Sequence, residues 1–524
     1  MNRSKTLLDS DSSLRWLALI VVVAAVIRLM GYAGFVGGDD WHYLTSAVEL
    51  ASGDVTYDGG HWQCRTGVTV PAAILHRLGA PSWMVLGGTT FFWSLLCIPI
   101  AFWSGLEFTQ DRRVAMLAAA FVAIFPLDII YATCLYPILG IAATTALAGT
   151  FFVRAIRTKS WSDFALLGLC LGLAYLHRVT SLYVGIPMLI WAIWKKEWHR
   201  GYFLAAAVAF CCLGGEMLFF QVTGGDPLVR IDVLTSRTAT VSNAPLTAIR
   251  PGGRLFSPIL SLLTNQELGL FYLAAPFALF AIIRRTPNEN SSRDAGTEDS
   301  LQVKNAMTFL MLWFVVVLAY TMWGSTSPFS YKPLRPWPRY YSQLTIPLLL
   351  LLSYWIIHFL QPRMRIAVCF VLVSVAFAGL AIDNSRTFQT LGPQLLKLRG
   401  ESTSERFLAV RSAYLFMYTA NDCRPPLNVE LISHHPNGID PRADQVRKLD
   451  PEMPFAGAWE ELSSGIIVIP FGASDKVPGN WQKIAEIRRS KSMIYDYGAR
   501  LGGVFEYVFN RSQSKKDLAV FRVD

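Results

Sequence analysis

Apolar runs near the length needed to cross about 30 Å of hydrocarbon recur through residue 382, and that recurrence decides the class of fold. They lie near 14–33, 83–106, 112–126, 137–156, 162–177, 180–195, 200–222, 268–284, 304–323, 342–360 and 364–382. Only a helix or a closed barrel satisfies its own backbone hydrogen bonds in lipid, so the runs read as about eleven membrane helices. Composition agrees, since 53% of residues are hydrophobic and only 16% charged, against about 25% charged in an average soluble domain. Leu14 to Met30 is longer than a typical signal-peptide core and no clear small-x-small site follows it, so it is expected to stay as the first span.

Lys and Arg outnumber Asp and Glu by 47 to 37, but the excess sits between apolar runs rather than in one patch, so no nucleic-acid partner is expected. Arg3, Lys5 and Arg15, then Arg112 and Arg113, Arg154, Arg157 and Lys159, Lys195, Lys196 and Arg200, Arg284, Arg285, Arg293 and Lys304, and finally Arg363 and Arg365 all fall on one side of the odd-numbered pass count. By the positive-inside rule the N-terminus is cytoplasmic and the chain beyond about 383 lies outside. Long outer loops fall near 34–82 and 223–267, a Pro- and base-rich one near 324–341, and a polar cytoplasmic linker at 286–300. The expected architecture is a polytopic α-helical membrane module over 1–382 and a small extracytoplasmic α/β domain over 383–524. In the latter, 465–471 and 518–523 read as strands, 401–419 and 481–489 as helix-like.

Most cysteines lie in spans and read as small hydrophobes. Cys64 and Cys423 are both expected outside, and sequence leaves their pairing open. There is no Cys-x-x-Cys zinc pattern, and His434-His435 reads as a solvated loop.

The most informative segment is Val36-Gly37-Gly38-Asp39-Asp40-Trp41-His42-Tyr43, where the first span leaves the membrane. Trp41, Leu44, Val48 and Ala51 follow at helical spacing, the pattern of an interfacial helix with its apolar side toward lipid. Asp39 and Asp40 at its start suit an N-cap, or a carboxylate that deprotonates a hydroxyl or holds a cation. The two roles are compatible. Arg178 stands at an outer junction of spans, and Glu216 is an acid inside an apolar run, a functional hypothesis by default.

At this point a resemblance enters. Asp39-Asp40-x-x-Tyr43, after a first span carrying Arg28, resembles the Asp-Glu-x-x-Tyr motif of GT-C membrane glycosyltransferases related to protein O-mannosyltransferases and aminoarabinose transferases. Arg65-Thr66-Gly67 with Pro71, the stretch from Phe125 to Thr133 with Asp128, Gly168-x-x-x-Gly172-Leu173 with Arg178, Glu216 followed by Thr223-Gly224-Gly225-Asp226-Pro227-Leu228, and Pro338-Arg339-Tyr340 resemble further pieces in the same order. The likeness spans roughly 14–360. It implies a GT-C fold and inverting transfer of a hexose or pentose from a polyisoprenyl-phosphate donor to a cell-envelope acceptor at the outer face. By the same resemblance Asp39 is the base with Asp40 beside it, and Tyr43, Arg28, Asp128, Glu216 and Tyr340 support the site. A lipid-phosphate leaving group needs cations, and Arg65, Arg178, Lys332 and Arg339 are those expected to bind it. Many members carry a second acid where this chain reads Leu135-Tyr136-Pro137-Ile138-Leu139, which leaves both a divalent metal and catalytic competence open. Two rivals stand beside this reading: a polytopic transporter, and a non-catalytic relative that binds envelope partners.

Overall fold

The computed structural model describes residues 11–32, 39–53, 61–233, 271–285, 297–324, 338–383 and 391–401, together with isolated residues between these segments and the strands named below. Its helices are α1 Asp11–Met30, α2 Asp39–Ser52, α3 Thr66–Arg77, α4 Ser82–Thr109, α5 Arg112–Ile124, α6 Pro126–Tyr131, α7 Ile138–Thr158, α8 Trp161–His177, α9 Gly185–Trp194, α10 Gly201–Val222, α11 Phe271–Arg285, α12 Thr297–Trp323, α13 Thr345–Phe359, α14 Pro362–Asp383 and α15 Leu391–Glu401. Short 3-10 turns, Val179–Val184 and Pro338–Leu344, lead into α9 and α13.

Each of the eleven apolar runs is helical, and the protein is an integral membrane protein. Among the described residues six helices are long and apolar enough to cross a membrane: Ser12–Met30, Ser82–Thr109, Ile138–Thr158, Gly201–Val222, Leu301–Trp323 and Arg339–Phe359. The other runs form shorter apolar helices such as Trp161–His177 and Phe271–Arg284, except that α14 has 22 residues. The third run gives a 13-residue helix because Phe125, extended at ψ 123°, precedes Pro126, and a residue before proline is driven out of helical geometry. The linker expected at 286–300 is helical at its end, since α12 begins at Thr297.

Burial separates inner from outer helices. On α7, Ala142, Ala143, Ala146 and Ala148 are buried, and small residues of this kind let membrane helices approach closely where no hydrophobic force drives them together. Phe108, Phe152, Phe309 and Trp313 pack in the same core. On α1 and α10, Trp16, Val22, Leu29, Phe203, Phe210 and Val222 are exposed; such a continuous apolar surface belongs against lipid. At the end carrying the basic loops, Glu107 of α4 pairs with Arg154 at 3.1 Å and with Arg157, and Arg154 pairs with Asp163 of α8 at 3.3 Å. Those arginines therefore join three helices as well as marking orientation.

One expectation is overturned at α2. Its apolar stripe does not face lipid: Trp41, Leu44 and Ala47 are at most 2% exposed and pack with Val68 and Ala72 of α3, Val85 and Leu86 of α4, and Leu135. Amphipathic spacing fixes which side of a helix is covered, but protein and lipid cover an apolar stripe equally well.

Within 407–523 a six-stranded sheet has the order β5-β2-β1-β6-β8-β7, with β1 Phe407–Val410, β2 Val429–Ile432, β5 Phe455–Ala456, β6 Gly465–Pro470, β7 Gln482–Ile487 and β8 Leu518–Val523. β5, β2, β1 and β6 run parallel, while β8 is antiparallel to both β6 and β7. The strand readings at 465–471 and 518–523 match β6 and β8. The helix-like readings do not: β1 lies inside 401–419 and β7 inside 481–489. His434-His435 is not a loop but β3, paired with β4 Gly438–Ile439. Cys423 lies outside the described residues.

Candidate active site

Five separate segments bring charged and phenolic side chains to one place. Asp39 opens α2, so two acids sit in its first turn, where the positive end of the helix dipole favours them. Tyr136 comes from the turn that ends at Pro137, just before α7. Arg178 is the C-cap residue of α8, extended at φ −169° and ψ 133°, which turns its side chain off the helix axis. Arg339 and Tyr340 sit on the 3-10 turn that Pro338 starts. Arg65 precedes α3.

Arg339 Nη1 lies 2.9 Å from Asp39 Oδ2, and the Asp39 backbone N–H donates to the Tyr136 hydroxyl at 3.2 Å. Asp40 is buried. Burial first, then the carboxylates of Asp40 and Asp39, push the Tyr136 phenol above its ordinary range. The Arg178 guanidinium stacks on Tyr340, 3.9 Å from the ring centroid, and that of Arg65 lies 5.4 Å from the Tyr43 centroid. Burial and then the neighbouring charge of Arg178 lower Arg65 well below its ordinary value, while Asp39 and Tyr340 pull the other way. Arg65, Arg178 and Arg339 thus gather with the acids Asp39 and Asp40, leaving an excess of positive charge that an anion would relieve.

Of the residues expected from sequence, Asp39, Asp40, Tyr43, Arg65, Arg178, Arg339 and Tyr340 meet here. Lys332 lies outside the described residues. Arg28 belongs elsewhere: fully buried, it donates to the carbonyls of Val122 and Ala123 at 3.2 and 2.8 Å and to Ser94. It thereby adds a donor at the C-terminal carbonyls of α5, of which Val122 also accepts from the Phe125 backbone N–H. Asp128 is buried near Arg28, not with the three arginines, so it does not replace the second acid. Glu216 also sits apart, in a buried ion pair with Arg230 at 2.6 Å. Sequence reasoning missed Arg230 and Tyr136. The signal for Arg230 was a cation two residues after the Asp226-Pro227-Leu228 turn; for Tyr136 it was a hydroxyl where an acid was expected.

Of the two acids that open α2, Asp39 is engaged by Arg339. Among the described residues no three His, Cys, Asp or Glu side chains cluster as metal ligands.

Residues 73–218 match the family model of dolichyl-phosphate-mannose-protein mannosyltransferases, a stretch that includes Arg178 and Glu216 but not Asp39, Arg65 or Arg339. No curated protein matches the chain. Among solved structures, the crystal structure of ArnT from Cupriavidus metallidurans bound to undecaprenyl phosphate is 11% identical, with a TM-score of 0.50 and 97% of each chain covered. The archaeal oligosaccharyltransferase AglB from Archaeoglobus fulgidus, in complex with an inhibitory peptide and a dolichol-phosphate, is 10% identical with a TM-score of 0.50, covering 98% of this chain and 89% of that one. These likenesses concern the fold. The chain has the GT-C membrane fold, and its residues 73–218 are similar to the dolichyl-phosphate-mannose-protein mannosyltransferases.

Proposed function

We propose that the protein transfers a hexose or pentose, with inversion, from a polyisoprenyl-phosphate donor to a hydroxyl of a cell-envelope lipid, glycan or protein. Asp39 acts as base and takes the acceptor's proton. The acceptor oxygen bonds to the anomeric carbon as the bond from that carbon to the phosphate oxygen breaks, and the electron pair leaves with the lipid phosphate. Arg65, Arg178 and Arg339 receive the charge that grows on the phosphate, a role for preorganised cations aimed at a developing anion. Asp40 and Tyr136 hold the start of α2, and Tyr340 orients Arg178. No step is routed through a metal. The reaction is assigned to the outer face of the cytoplasmic membrane, with the N-terminus inside. The membrane module is 1–382, and the extracytoplasmic domain 383–524.

The observation that carries this reading is the convergence of Arg65, Arg178 and Arg339, from three distant loops, on Asp39 and Tyr340. The undecaprenyl phosphate and dolichol-phosphate of the two solved structures of like fold support it. The test gives purified protein radiolabelled polyprenyl-phosphate sugars and cell-envelope acceptors, alongside Asp39→Asn and Arg178→Gln. Transfer by the wild type that falls at least about 100-fold in both variants is expected. No transfer with any donor, or unimpaired variants, sinks the assignment.

A further inference from the structure

Beside the candidate site, the structure holds a second buried charge pair that the proposed chemistry does not use. Glu216, near the end of α10, and Arg230, in the helical residues 229–233 beyond it, are 5% and 4% exposed. Arg230 Nη1 donates to Glu216 Oε1 and Oε2 at 2.7 and 2.6 Å. Each partner also grips a third segment. Glu216 Oε1 accepts from the Thr66 hydroxyl at 2.6 Å, and Thr66 directly follows Arg65. Arg230 Nη2 donates to the Leu176 carbonyl at 3.4 Å, two residues before Arg178, and its guanidinium stacks on Tyr175, 4.2 Å from the ring centroid.

A buried ion pair is a poor source of stability, because removing two charges from water costs about as much as their attraction returns. What it does supply is directed, charge-assisted hydrogen bonding of fixed geometry. Here the geometry ends on the residue next to one site arginine and on the residue two before another. Both outer loops meet at the same point: the hydroxyls of Tyr57 and Thr223 are 2.6 Å apart, and Cys64, Phe220, Val229 and Val233 form one small apolar cluster.

We propose that Glu216 and Arg230 are a positioning pair that sets Arg65 and Arg178 at the spacing needed to hold the donor phosphate. The pair touches no substrate; it acts through Thr66 on one arginine and through Leu176 and Tyr175 on the other. The proposal rests on the reading of those arginines as phosphate ligands, and it makes the start of the second outer loop part of the donor site's framework.

The test uses the full-length protein in lipid nanodiscs, with Arg230→Gln, Glu216→Gln and Arg230→Lys. Hydrogen exchange without ligand follows amides 65–69 and 176–181, and titration with undecaprenyl phosphate follows binding. In Arg230→Gln both segments are expected to exchange at least about tenfold faster, with α5 and α13 unchanged, and undecaprenyl phosphate to bind about tenfold more weakly. Glu216→Gln moves both in the same direction. Arg230→Lys keeps a cation for Glu216 but lacks the planar fork, so 65–69 recovers while 176–181 stays loose. In an Arg65→Gln, Arg178→Gln background, Arg230→Gln adds no further loss of binding, since interacting residues are non-additive. Unchanged exchange at both segments, a uniform rise across the bundle, or an undiminished loss in that background each overturns the proposal. A wild type that binds no undecaprenyl phosphate overturns the phosphate assignment instead, and the exchange pattern then reports on the brace alone.

Discussion

Arg339 and Asp39 form an ion pair, Nη1 to Oδ2 at 2.9 Å, in which the acid is only 27% exposed and the arginine 18%. The proposed base and one proposed phosphate ligand are therefore paired with each other. On the proposed roles, a donor phosphate would compete for Arg339 and its arrival would free the Asp39 oxygen for the acceptor hydroxyl, making substrate binding and base release one event.

This coupling separates the two residues kinetically. Asp39→Asn is expected to lower kcat by about 10²–10⁴-fold, because the base acts at the chemical step, and to lower donor KM, because Arg339 loses its competing carboxylate. Arg339→Gln is expected to raise donor KM and lower kcat together, by about 10²-fold or more in kcat/KM, since a charge-stabilising donor is lost. Steady-state kinetics with varied donor and acceptor checks both. A donor KM that rises only in Asp39→Asn would reverse the assignment.

Arg28 illustrates what sequence can and cannot show. An arginine within an apolar run marks a functional hypothesis by default, and the resemblance placed it with the site. The structure gives it a different task, because α5 ends early at Phe125-Pro126 and Arg28 donates to the Val122 and Ala123 carbonyls at that end. Arg28→Leu is expected to destabilise the protein by about 3 kcal/mol, leaving a buried Asp128 without its cation. Arg28→Leu with Asp128→Leu is expected to recover part of that loss. Thermal unfolding in detergent, together with kcat per folded molecule, checks this; a normal melting temperature with abolished turnover would return Arg28 to the site.

At the opposite end, Asp111 caps α5 by accepting the Arg113 backbone N–H at 2.8 Å, and the Arg113 side chain reaches its other oxygen at 2.9 Å. Burial alone would raise the carboxyl, but the bonds from Arg113 outweigh it and hold the group below the usual aspartate range. A carboxyl depressed on folding adds stability that is present above its unfolded value and lost as pH falls through its folded one. The bundle should therefore lose melting temperature on acidification below the ordinary aspartate range. Asp111→Asn, which can still cap, should flatten that part of the profile, and Asp111→Ala should cost about 1 kcal/mol at neutral pH. A profile identical in Asp111→Asn and wild type would show that this carboxyl contributes nothing.

The membrane helices and the main candidate residues were legible because each leaves a local mark. Crossing lipid demands a long apolar run, and the site demands acids and arginines at the ends of such runs. Partners across the fold leave no such mark. Neither the covering of Trp41 and Leu44 by α3 and α4 nor the pairing of Arg230 with Glu216 has a periodicity or spacing. In 383–524 the β-branched runs at β6 and β8 announce strands. Gln482–Ile487, whose sequence Gln-Lys-Ile-Ala-Glu-Ile breaks polar–apolar alternation, carries a weaker signal and becomes a strand by pairing with β8.

The site also depends on close approach between helices that carry none of its charges in their middles. α8, which ends at Arg178, lies against α10, which carries Glu216, and a β-carbon at Gly168 would overlap the backbone carbonyl of Ala205. Backbone cannot rotate aside as a side chain can, so Gly168→Ala must part the two helices. The expected cost is about 1–3 kcal/mol or more, in the range of overpacked cores. Gly214→Ala, on the same helix pair but with open space around its β-carbon position, is expected to stay within about 1 kcal/mol of wild type. Parting α8 from α10 also strains the bond from Arg230 to Leu176, so Gly168→Ala should weaken undecaprenyl phosphate binding where Gly214→Ala does not. Melting curves and phosphate titrations on the two variants decide the matter, and equal behaviour of both would show that the α8–α10 contact does not set the site.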